Sequence, residues 1–504
     1  MDLRSASTAE RRLKPHLPTL LHGPRRTGTP APTSASLGAT RRTWASRRGL
    51  GLSLIRSQKA GTAFNRSADR RRWTMLSSIT IKNFKSYENA MLELSPLTVL
   101  IGANASGKSN AIGALRLLSW IAQGNRLDSN PFTINGRRRI RGNVGQLGYR
   151  DEKHSSFECR TTYPRWDTYS ITLSSHYDEF RISKEALAGS SEKTPLFEVR
   201  FREEQKEREL RVGVKGAAPN ETPFEASFTD QMAVLIQVQN LPRVGESPAH
   251  AEDLRSTAAL YEQWLSRIVF LDAQPAAMRG YSSRHPRWPA SDGSNLAGVL
   301  YNLCKNASAK AELLEIISIL PEQDIRDVRF IELPNDEVTL RLTETFGGTN
   351  TDTDVALLSD GTLRVLAAAT AVLWAPEGGL VVVEELDAGV HPSRAEKLLG
   401  ALSSAAKRRN VRILTTSHDP ALLDAVPDEA LGGIVFCYRD PETGSSRLIR
   451  LRDLPNYPEL TAQGPVGRLL TRGIIERSAK DRTSPEERRQ RALSWLEDLR
   501  ATAG

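Results

Sequence analysis

The sequence predicts an α/β fold built on a parallel sheet, and three short apolar runs carry this prediction. Residues 97–101, 380–383 and 412–416 consist mainly of aliphatic and β-branched residues, and small or polar residues follow each run. Continuous apolar runs of this length are typical of parallel strands that are buried on both faces. Because ligands bind where such strands end, the residues after each run are candidate functional residues.

The first run leads into Gly-x-x-x-x-Gly-Lys-Ser at residues 102–109, and a helical pattern follows over residues 111–121. Glycines let a loop turn tightly and bring backbone N–H groups to phosphate oxygens, and the helix start adds its positive dipole end. Lys108 can reach the β- and γ-phosphates, and the Ser109 hydroxyl can ligate Mg²⁺. The flanking strand and helix disfavour the alternative of a chance glycine-rich turn. We therefore expect a nucleotide-binding P-loop formed by Gly102, Ala103, Asn104, Ala105, Ser106, Gly107, Lys108, Ser109 and Asn110.

The chain has 504 residues and a formal net charge of +10, but this charge is unevenly distributed. Residues 1–74 hold 16 Lys and Arg against 3 Asp and Glu, whereas the remainder holds 53 against 56. The remainder is thus close to neutral, and its overall charge gives no argument for nucleic-acid binding. The three cysteines lie far apart without a Cys-x-x-Cys spacing, which favours a reducing compartment and a cytoplasmic protein. No apolar run is long enough to span a bilayer, so we expect no membrane partner.

Residues 1–74 are rich in Arg, Ser, Thr, Pro and Gly and show little apolar periodicity. We expect a disordered basic extension there. It is an organelle transit peptide, a nucleic-acid-binding tail or an extension without a folded role, and we favour the last interpretation. Met75 stands immediately before the first strand pattern and is therefore a candidate for the functional start.

Strand and helix patterns fill the rest of the region before the second apolar run. Alternating residues predict strands at residues 79–84, 87–94, 156–163, 169–173, 197–202, 209–214, 328–333 and 337–343. Apolar residues at helical spacing predict helices at residues 251–268, 292–302 and 309–320. No sustained heptad pattern occurs, which argues against long coiled-coil arms.

Three polar motifs stand at predicted element ends in the second half. Ser359, Asp360 and Gly361 precede an Ala-rich helical pattern over residues 363–373. A serine hydroxyl, backbone N–H groups and a helix dipole suit an anion, although taken alone the motif is an ordinary helix N-terminus.

The second apolar run ends in Glu384 and Glu385, and the third is followed by Ser417 and His418. Their places at strand ends favour functional roles over surface positions.

The order of these motifs resembles the RecF/SMC-like branch of the ABC-type ATPases, and in particular the bacterial predicted ATPases of the AAA family. Asn-Phe-Lys-Ser at residues 83–86 and the asparagines that flank the P-loop match that branch. So does Asp-Ala-Gly-Val-His at residues 387–391, in the D-loop position. The motif at residues 358–362 occupies the place of the ABC signature, although Ser-Asp-Gly-Thr departs from the common Ser-Gly-Gly-Gln. The resemblance covers residues 77–477.

The resemblance implies a P-loop NTPase fold, that is, an ABC-type head with an antiparallel β-lobe and a compact, mainly helical insertion. It divides the chain into a basic extension, an ATPase domain and a C-terminal helix, at residues 1–74, 75–480 and 481–504. Within the ATPase domain it implies a P-loop part with the β-lobe, an insertion, and a part with the signature and tandem acids, at about residues 75–215, 216–345 and 346–480.

The resemblance also assigns roles. ATP and Mg²⁺ are the implied ligands, with Mg²⁺ held by Ser109 and Glu384. Glu385 and His418 are the implied catalytic residues: the first activates water, and the second contacts the γ-phosphate. Gln146 is a candidate for the glutamine that senses Mg²⁺. In an ATP-dependent homodimer, each site is completed by the second copy through its Ser359, Asp360 and Gly361.

The implied function is ATP hydrolysis in an ATP-sandwiched dimer that acts in DNA repair or anti-phage defence. DNA and an effector protein are the further partners to consider. The alternative is an ATP-gated protein-binding switch with little hydrolysis. The motor of a membrane transporter is a third interpretation, which nothing in the sequence favours.

Overall fold

The computed structural model describes residues 75–494, apart from residues 130–132, 135–136, 139–142, 177–178, 203–207, 216–223, 242–247, 320–323, 455, 482–485, 488–489 and 491–492. The basic extension predicted at residues 1–74 and most of the C-terminal helix predicted at residues 481–504 lie outside this part of the chain.

In chain order the strands are β1 Leu76–Phe84, β2 Tyr87–Glu93, β3 Leu97–Ile101, β4 Thr133–Ile134, β5 Arg137–Arg138, β6 His154–Thr161, β7 Thr168–His176, β8 Glu179–Ala188, β9 Phe197–Arg202, β10 Glu209–Val214, β11 Phe224–Thr229, β12 Val269–Leu271, β13 Ser282–Ser283, β14 Asp324–Leu333, β15 Glu337–Phe346, β16 Thr349–Asp354, β17 Leu380–Val383, β18 Arg412–Thr416, β19 Ile434–Arg439 and β20 Ser446–Arg450. The helices are α1 Lys108–Ala122, α2 Val234–Gln237, α3 Pro248–Ser266, α4 Pro275–Met278, α5 Leu296–Leu303, α6 Ala307–Ile317, α7 Asp360–Trp374, α8 Pro392–Arg408, α9 Pro420–Asp424, α10 Tyr457–Ala462, α11 Val466–Thr471 and α12 Ile474–Lys480.

The predicted parallel sheet is present and lies at the centre of the fold. Its strand order is β12-β17-β18-β3-β19-β20, and every pair is parallel except β19 with β20. The three apolar runs form the strands β3, β17 and β18, and these strands are direct neighbours. Every residue of β3 and β17 is buried. The polar residues that follow these three strands therefore lie at the same, carboxyl end of the parallel sheet.

Alternate residues of these strands pack into two different cores. Leu380 and Val382 lie in a core that contains α1 and the antiparallel sheet, whereas Val381 and Val383 lie in a core with α7 and α8. Both faces of the parallel sheet are thus covered, which explains why its strands read as continuous apolar runs.

The predicted antiparallel lobe is also present, as a sheet with the order β11-β10-β9-β8-β7-β6-β1-β2. It contains all the strands that alternation predicted in the first half, together with β8 and β11, which the sequence did not predict. Helix-favouring residues obscure β8, because Lys184, Glu185 and Ala186 stand in its middle. Burial raises the pKa of Glu185 to about 7. Its carboxylate accepts hydrogen bonds from the backbone N–H groups of Val234 and Leu235 at 2.7 and 2.8 Å, so it caps α2.

The segment predicted as an insertion contains helices α2–α6 and long strands. The helices predicted at residues 251–268, 292–302 and 309–320 correspond to α3, α5 and α6. The strands β14 and β15 were predicted, and they form a third sheet with β13 and β16. This segment also supplies β12, an edge strand of the parallel sheet, so it is continuous with the central fold. In the described part of the chain, no helix is both long and apolar enough to cross a membrane.

Candidate nucleotide site

The P-loop joins β3 to α1, and its two glycines adopt conformations that other residues rarely adopt. Gly102 has φ +144° and Gly107 has φ +125°. A Cβ atom at Gly102 would lie 2.1 Å from the carbonyl oxygen of Cys437, and one at Gly107 would lie 2.4 Å from the Ser446 hydroxyl oxygen. Both positions therefore require glycine, for conformation and for space.

Side chains from other strands hold the backbone carbonyls of this loop. Tyr87 donates to the Gly107 oxygen at 3.1 Å, and Arg439 Nε donates to the Ala105 oxygen at 3.0 Å. The Ser106 oxygen accepts from the Cys437 thiol at 3.3 Å and from the Ser446 hydroxyl at 2.5 Å. The loop is therefore fixed without a ligand. The hydroxyl of Ser106 is buried and makes no hydrogen bond within the described residues, and it is thus available to a phosphate.

Lys108 lies at the start of α1 and folds over the loop. Its Nζ donates to the carbonyl oxygens of Gly102 and Ala103 at 2.5 and 3.0 Å. Burial lowers the pKa of Lys108, and the nearby charges of Cys437 and Glu385 act in the opposite direction. Glu385, which is far from Lys108 in sequence, is thus near enough for its charge to act on Lys108.

The tandem acids follow β17 directly, and their side chains have different surroundings. Glu384 is half-buried, and its Oε1 accepts a hydrogen bond from Arg116 of α1 at 2.8 Å. Glu385 is exposed and has φ +52°, a left-handed conformation that costs free energy for a residue other than glycine. Its backbone N–H donates to the Thr416 hydroxyl at 3.0 Å. The two consecutive carboxylates thus have different surroundings, and the backbone N–H of Glu385 links this turn to β18.

The end of β18 contacts the D-loop segment. The Ser417 hydroxyl donates to Asp387 Oδ2 at 3.0 Å. Burial raises the pKa of Asp387, while the bond from Ser417 and the charge of His418 lower it. His418 follows Ser417 directly, and its side chain is exposed. His391 accepts a hydrogen bond from the Ser393 backbone N–H at 3.3 Å and caps α8, a structural role.

Ser359, Asp360 and Gly361 form the N-terminus of α7. The Ser359 hydroxyl accepts from the Thr362 backbone N–H at 3.1 Å and is the N-cap. Arg279 Nη2 donates to Asp360 Oδ1 at 2.6 Å and to the Leu358 oxygen at 2.9 Å. A Cβ atom at Gly361 would lie 2.2 Å from the oxygen of Gly389, in the D-loop.

The signature thus packs on the D-loop of its own chain. Among the described residues, no hydrogen bond joins it to the P-loop of the same chain.

Gln146 lines a cleft that also includes Asn110, near the start of α1. It ends a short 3₁₀ helix, Val144–Gln146, whose capping box it forms with Asn143. A cleft of about 590 Å³ opens between this turn, the β1–β2 turn and the β19–β20 turn. Gln146 lines this cleft together with Lys85, Ser86, Asn110, Tyr149, Arg150, Arg439, Thr443 and Gly444. Gln146 and Asn110 of the P-loop thus line the same cleft, and the role of Gln146 stays a prediction.

Sequence reasoning missed several residues that position the site. Arg116, Thr416 and Arg279 contact Glu384, Glu385 and Asp360 respectively. Arg116 carried a signal, because it is the one charged residue of α1 beyond Lys108. The other two contacts depend on how distant segments pack, which the motifs did not indicate.

The side chains present fit a nucleotide with a magnesium ion. Within the described residues, no cluster of three or more His, Cys, Asp or Glu side chains is placed to hold a metal alone. A serine hydroxyl and a carboxylate are oxygen ligands, which Mg²⁺ prefers, and Mg²⁺ usually takes its remaining ligands from phosphates and water. Ser109 and Glu384 supply this kind of partial donor set.

Two families match most of the part of the chain that holds these motifs. Residues 75–192 match the family described as "AAA ATPase domain". Residues 240–424 match the family described as "AAA domain, putative AbiEii toxin, Type IV TA system". The first segment contains the P-loop, and the second contains the signature, the tandem acids and His418.

A curated relative matches a shorter stretch. Over 76 residues the chain is 37% identical to the DNA replication and repair protein RecF of Gloeobacter violaceus. The stretch makes up 14% of this chain and 20% of that protein, so the chain spans about a fifth of the length of the relative it matches. The resemblance to the RecF/SMC-like ATPases of the AAA family is confirmed.

Solved structures with detectable similarity include Smc head domains. One is an Smc head bound to the C-terminal winged-helix domain of ScpA, which is 13% identical with a TM-score of 0.39 over 74% of this chain and 97% of that chain. Another, derived from Pyrococcus furiosus, is an Smc head with an extended coiled coil bound to the C-terminal domain of ScpA. It is 11% identical with a TM-score of 0.40 over 77% of this chain and 100% of that chain. The head of Thermotoga maritima SMC is 12% identical with a TM-score of 0.32 over 75% and 98%.

Proposed function

We propose that the chain binds ATP with Mg²⁺ and hydrolyses it to ADP and phosphate. The observation that carries this proposal is the adjacency of β3, β17 and β18 in one parallel sheet. Lys108, Glu385 and His418 follow these neighbouring strands. A nucleotide held by the P-loop therefore lies at the same end of the sheet as both acids and the histidine. The interaction of the charges of Lys108 and Glu385 supports this arrangement.

Each residue has a distinct role in the proposed reaction. The loop N–H groups and Lys108 bind the phosphates, and the Ser106 hydroxyl gains a partner there. Ser109 and Glu384 hold Mg²⁺, which when bound neutralises charge on the phosphates. Glu385 accepts a proton from the attacking water, and His418 contacts the γ-phosphate.

Substitution of the base tests this proposal. Glu385→Gln keeps the size of the side chain and removes its basicity, so we expect ATP binding close to that of the wild type and turnover reduced about 10²- to 10⁴-fold. Lys108→Ala is the matched variant that loses binding as well. Turnover at the normal rate in Glu385→Gln would show that another residue is the base.

We further propose that two copies sandwich two ATP molecules. Within the described residues the signature makes no hydrogen bond to the P-loop of its own chain, and its helix start carries a serine hydroxyl and backbone N–H groups suited to an anion. We expect Glu385→Gln to accumulate as a dimer with ATP, and Ser359→Arg to block this dimer while ATP binding by single chains persists. Light scattering with and without ATP measures the oligomeric state of both variants. A Glu385→Gln protein that stays monomeric with ATP would contradict the sandwich.

A role in a DNA-related process, repair or anti-phage defence, is the biological part of the proposal. The name of the curated relative, a DNA replication and repair protein, supports repair. The toxin family that residues 240–424 match supports defence.

The free cysteines Cys159, Cys304 and Cys437 suit a reducing cytoplasm. Steady-state turnover with and without DNA tests the DNA link. Turnover that stays near zero in both would favour the ATP-gated switch, with an effector protein as its partner.

A further inference from the structure

Arg116 forms an ion pair that connects the P-loop helix to the tandem acids. Its Nη2 lies 2.8 Å from Glu384 Oε1, and the two side chains keep only 17% and 22% of their exposure. The guanidinium carbon also lies 4.7 Å from the centre of the Phe270 ring on β12. The cation is therefore held from two sides, unlike a surface pair whose partners move freely in water.

The position of Arg116 along α1 brings it toward the end of the helix where the phosphates bind. It follows Ser109 by seven residues, which is about two turns and about 10 Å along the axis, so both residues lie on one face of the helix. Side chains of a helix lean toward its N-terminus. The long Arg116 side chain meets the carboxylate that follows β17, two helical turns after Ser109 in the sequence.

The backbone of Glu384 is fixed, but its side chain has more freedom than an aspartate would have. The Glu384 N–H donates to the Leu271 oxygen at 2.8 Å, which continues the ladder between β12 and β17. Leu380 and Val382 face the core that contains α1, and Glu384 continues this alternation. An extra methylene adds a rotatable bond compared with aspartate. Oε1 is bound to Arg116, and Oε2 has no hydrogen bond within the described part of the chain.

We propose that Arg116 is a positioning residue: it binds Oε1 of Glu384 and thereby directs Oε2 toward the Mg²⁺ that accompanies the nucleotide. The pair offsets the freedom of the longer acid, because outer-shell partners that orient a carboxylate ligand strengthen metal binding. This inference rests on the proposed function, since it concerns the metal of the same site.

The test measures metal binding rather than turnover. A fluorescent ATP analogue is titrated without metal and then with increasing Mg²⁺, and Mn²⁺ binding is followed by electron paramagnetic resonance. Arg116→Met keeps the apolar stem and removes the guanidinium. We expect the half-saturating Mg²⁺ and Mn²⁺ concentrations to rise about tenfold or more, with metal-free nucleotide affinity unchanged. Arg126→Met, which breaks an exposed pair with Asp128, is the control and leaves both quantities unchanged.

A second pair of variants separates positioning from a general structural effect. In Glu384→Asp the shorter carboxylate no longer reaches Arg116, so adding Arg116→Met to that background changes the Mg²⁺ requirement less than about twofold. Arg116→Lys keeps a cation that donates to Oε1 and recovers part of the wild-type metal affinity. If Arg116→Met does not fold, the comparison of Arg116→Lys with the wild type and with Glu384→Asp carries the test.

Three results would overturn the inference. These are an unchanged or tighter Mg²⁺ affinity in Arg116→Met, an equal effect of Arg116→Met in the Glu384→Asp background, or equal weakening of metal-free nucleotide binding. Failure of the proposed function looks different, because the wild type itself would then not bind the ATP analogue.

Discussion

The P-loop and the signature both stand at the N-terminus of a helix, yet the structure holds them in different ways. Side chains from β2, β19 and β20 hold the P-loop carbonyls, so the loop has its shape before a nucleotide arrives. At the signature, the Ser359 side chain caps its own helix, and Arg279 donates to Asp360 from a distant segment. Leu357 beside it is 77% exposed. The P-loop thus has its shape before a ligand binds, whereas the signature is held mainly through Arg279 and the D-loop, which is compatible with the proposal that a second copy binds there.

The largest effect is expected from a change that distorts the preorganised P-loop. Gly107→Val places a branched side chain at φ +125°, where even a Cβ atom meets the Ser446 hydroxyl. We expect nucleotide affinity to fall about a hundredfold or more, because a shift of the loop moves its N–H groups off the phosphates. Isothermal titration calorimetry measures this.

Gly400→Ala is the control for Gly107→Val. A Cβ atom at Gly400, in α8, meets nothing within 4 Å, so affinity stays the same, and stability rises slightly. Nucleotide affinity close to the wild type in Gly107→Val would show that the loop is not preorganised by its neighbours.

The second prediction addresses the signature and its contact with Arg279. Arg279→Ala removes the cation beside Asp360 and leaves a negative charge where the triphosphate of a second copy is proposed to bind. We expect ATP-driven association of the Glu385→Gln protein to weaken about tenfold, with ATP binding by the single chain unchanged. Sedimentation at several protein concentrations measures the association.

Two further variants sharpen the interpretation of Arg279→Ala. Adding Asp360→Asn removes the exposed charge and restores association, whereas Arg284→Ala, which breaks pairs with Glu332 and Asp336, has no effect on it. Association equal to that of the wild type in Arg279→Ala would show that the cation is not needed for the proposed contact.

A third, smaller effect is expected at the link between β17 and β18. Thr416→Val removes the acceptor of the Glu385 N–H and keeps the shape of the side chain. We expect kcat to fall about fivefold to tenfold with KM unchanged, because the base loses orientation and the P-loop is untouched. Thr416→Ser retains the hydroxyl and recovers the rate. A rise in KM without a change in kcat would contradict this role for Thr416.

The sequence predicted the parallel sheet because its strands are buried on both faces and read as apolar runs. It did not predict β16, Thr349–Asp354, whose polar residues are half-buried or exposed and carry no apolar alternation. It missed β8 for a similar reason, since Glu185 is accommodated there by backbone N–H groups that come from residues about fifty positions later. Alternation identifies strands with an apolar face, and it fails where distant partners satisfy a polar residue.

The candidate site divides in the same way. Motif order located the P-loop, the signature, the tandem acids and His418, because each stands at the end of a regular element. It did not reveal that Glu384 pairs with Arg116 or that Asp360 pairs with Arg279. Asp360 is also the residue at which the signature departs from the common Ser-Gly-Gly-Gln. Both arginines meet these carboxylates through the packing of the fold, so the order of motifs does not reveal them.

The smallest effect is expected from removal of residues 1–74. The backbone of Met75 is already paired with Thr162: its N–H donates to the Thr162 hydroxyl at 3.1 Å, and its oxygen accepts from the Thr162 N–H at 3.1 Å. A chain that starts at Met75 therefore keeps the first strand pairing and both halves of the site. We expect its turnover and its ATP-driven association to equal those of the full chain, measured side by side. A large loss of turnover or of association would show that the site depends on the extension. Comparison of the two losses would show whether the P-loop or the signature is affected.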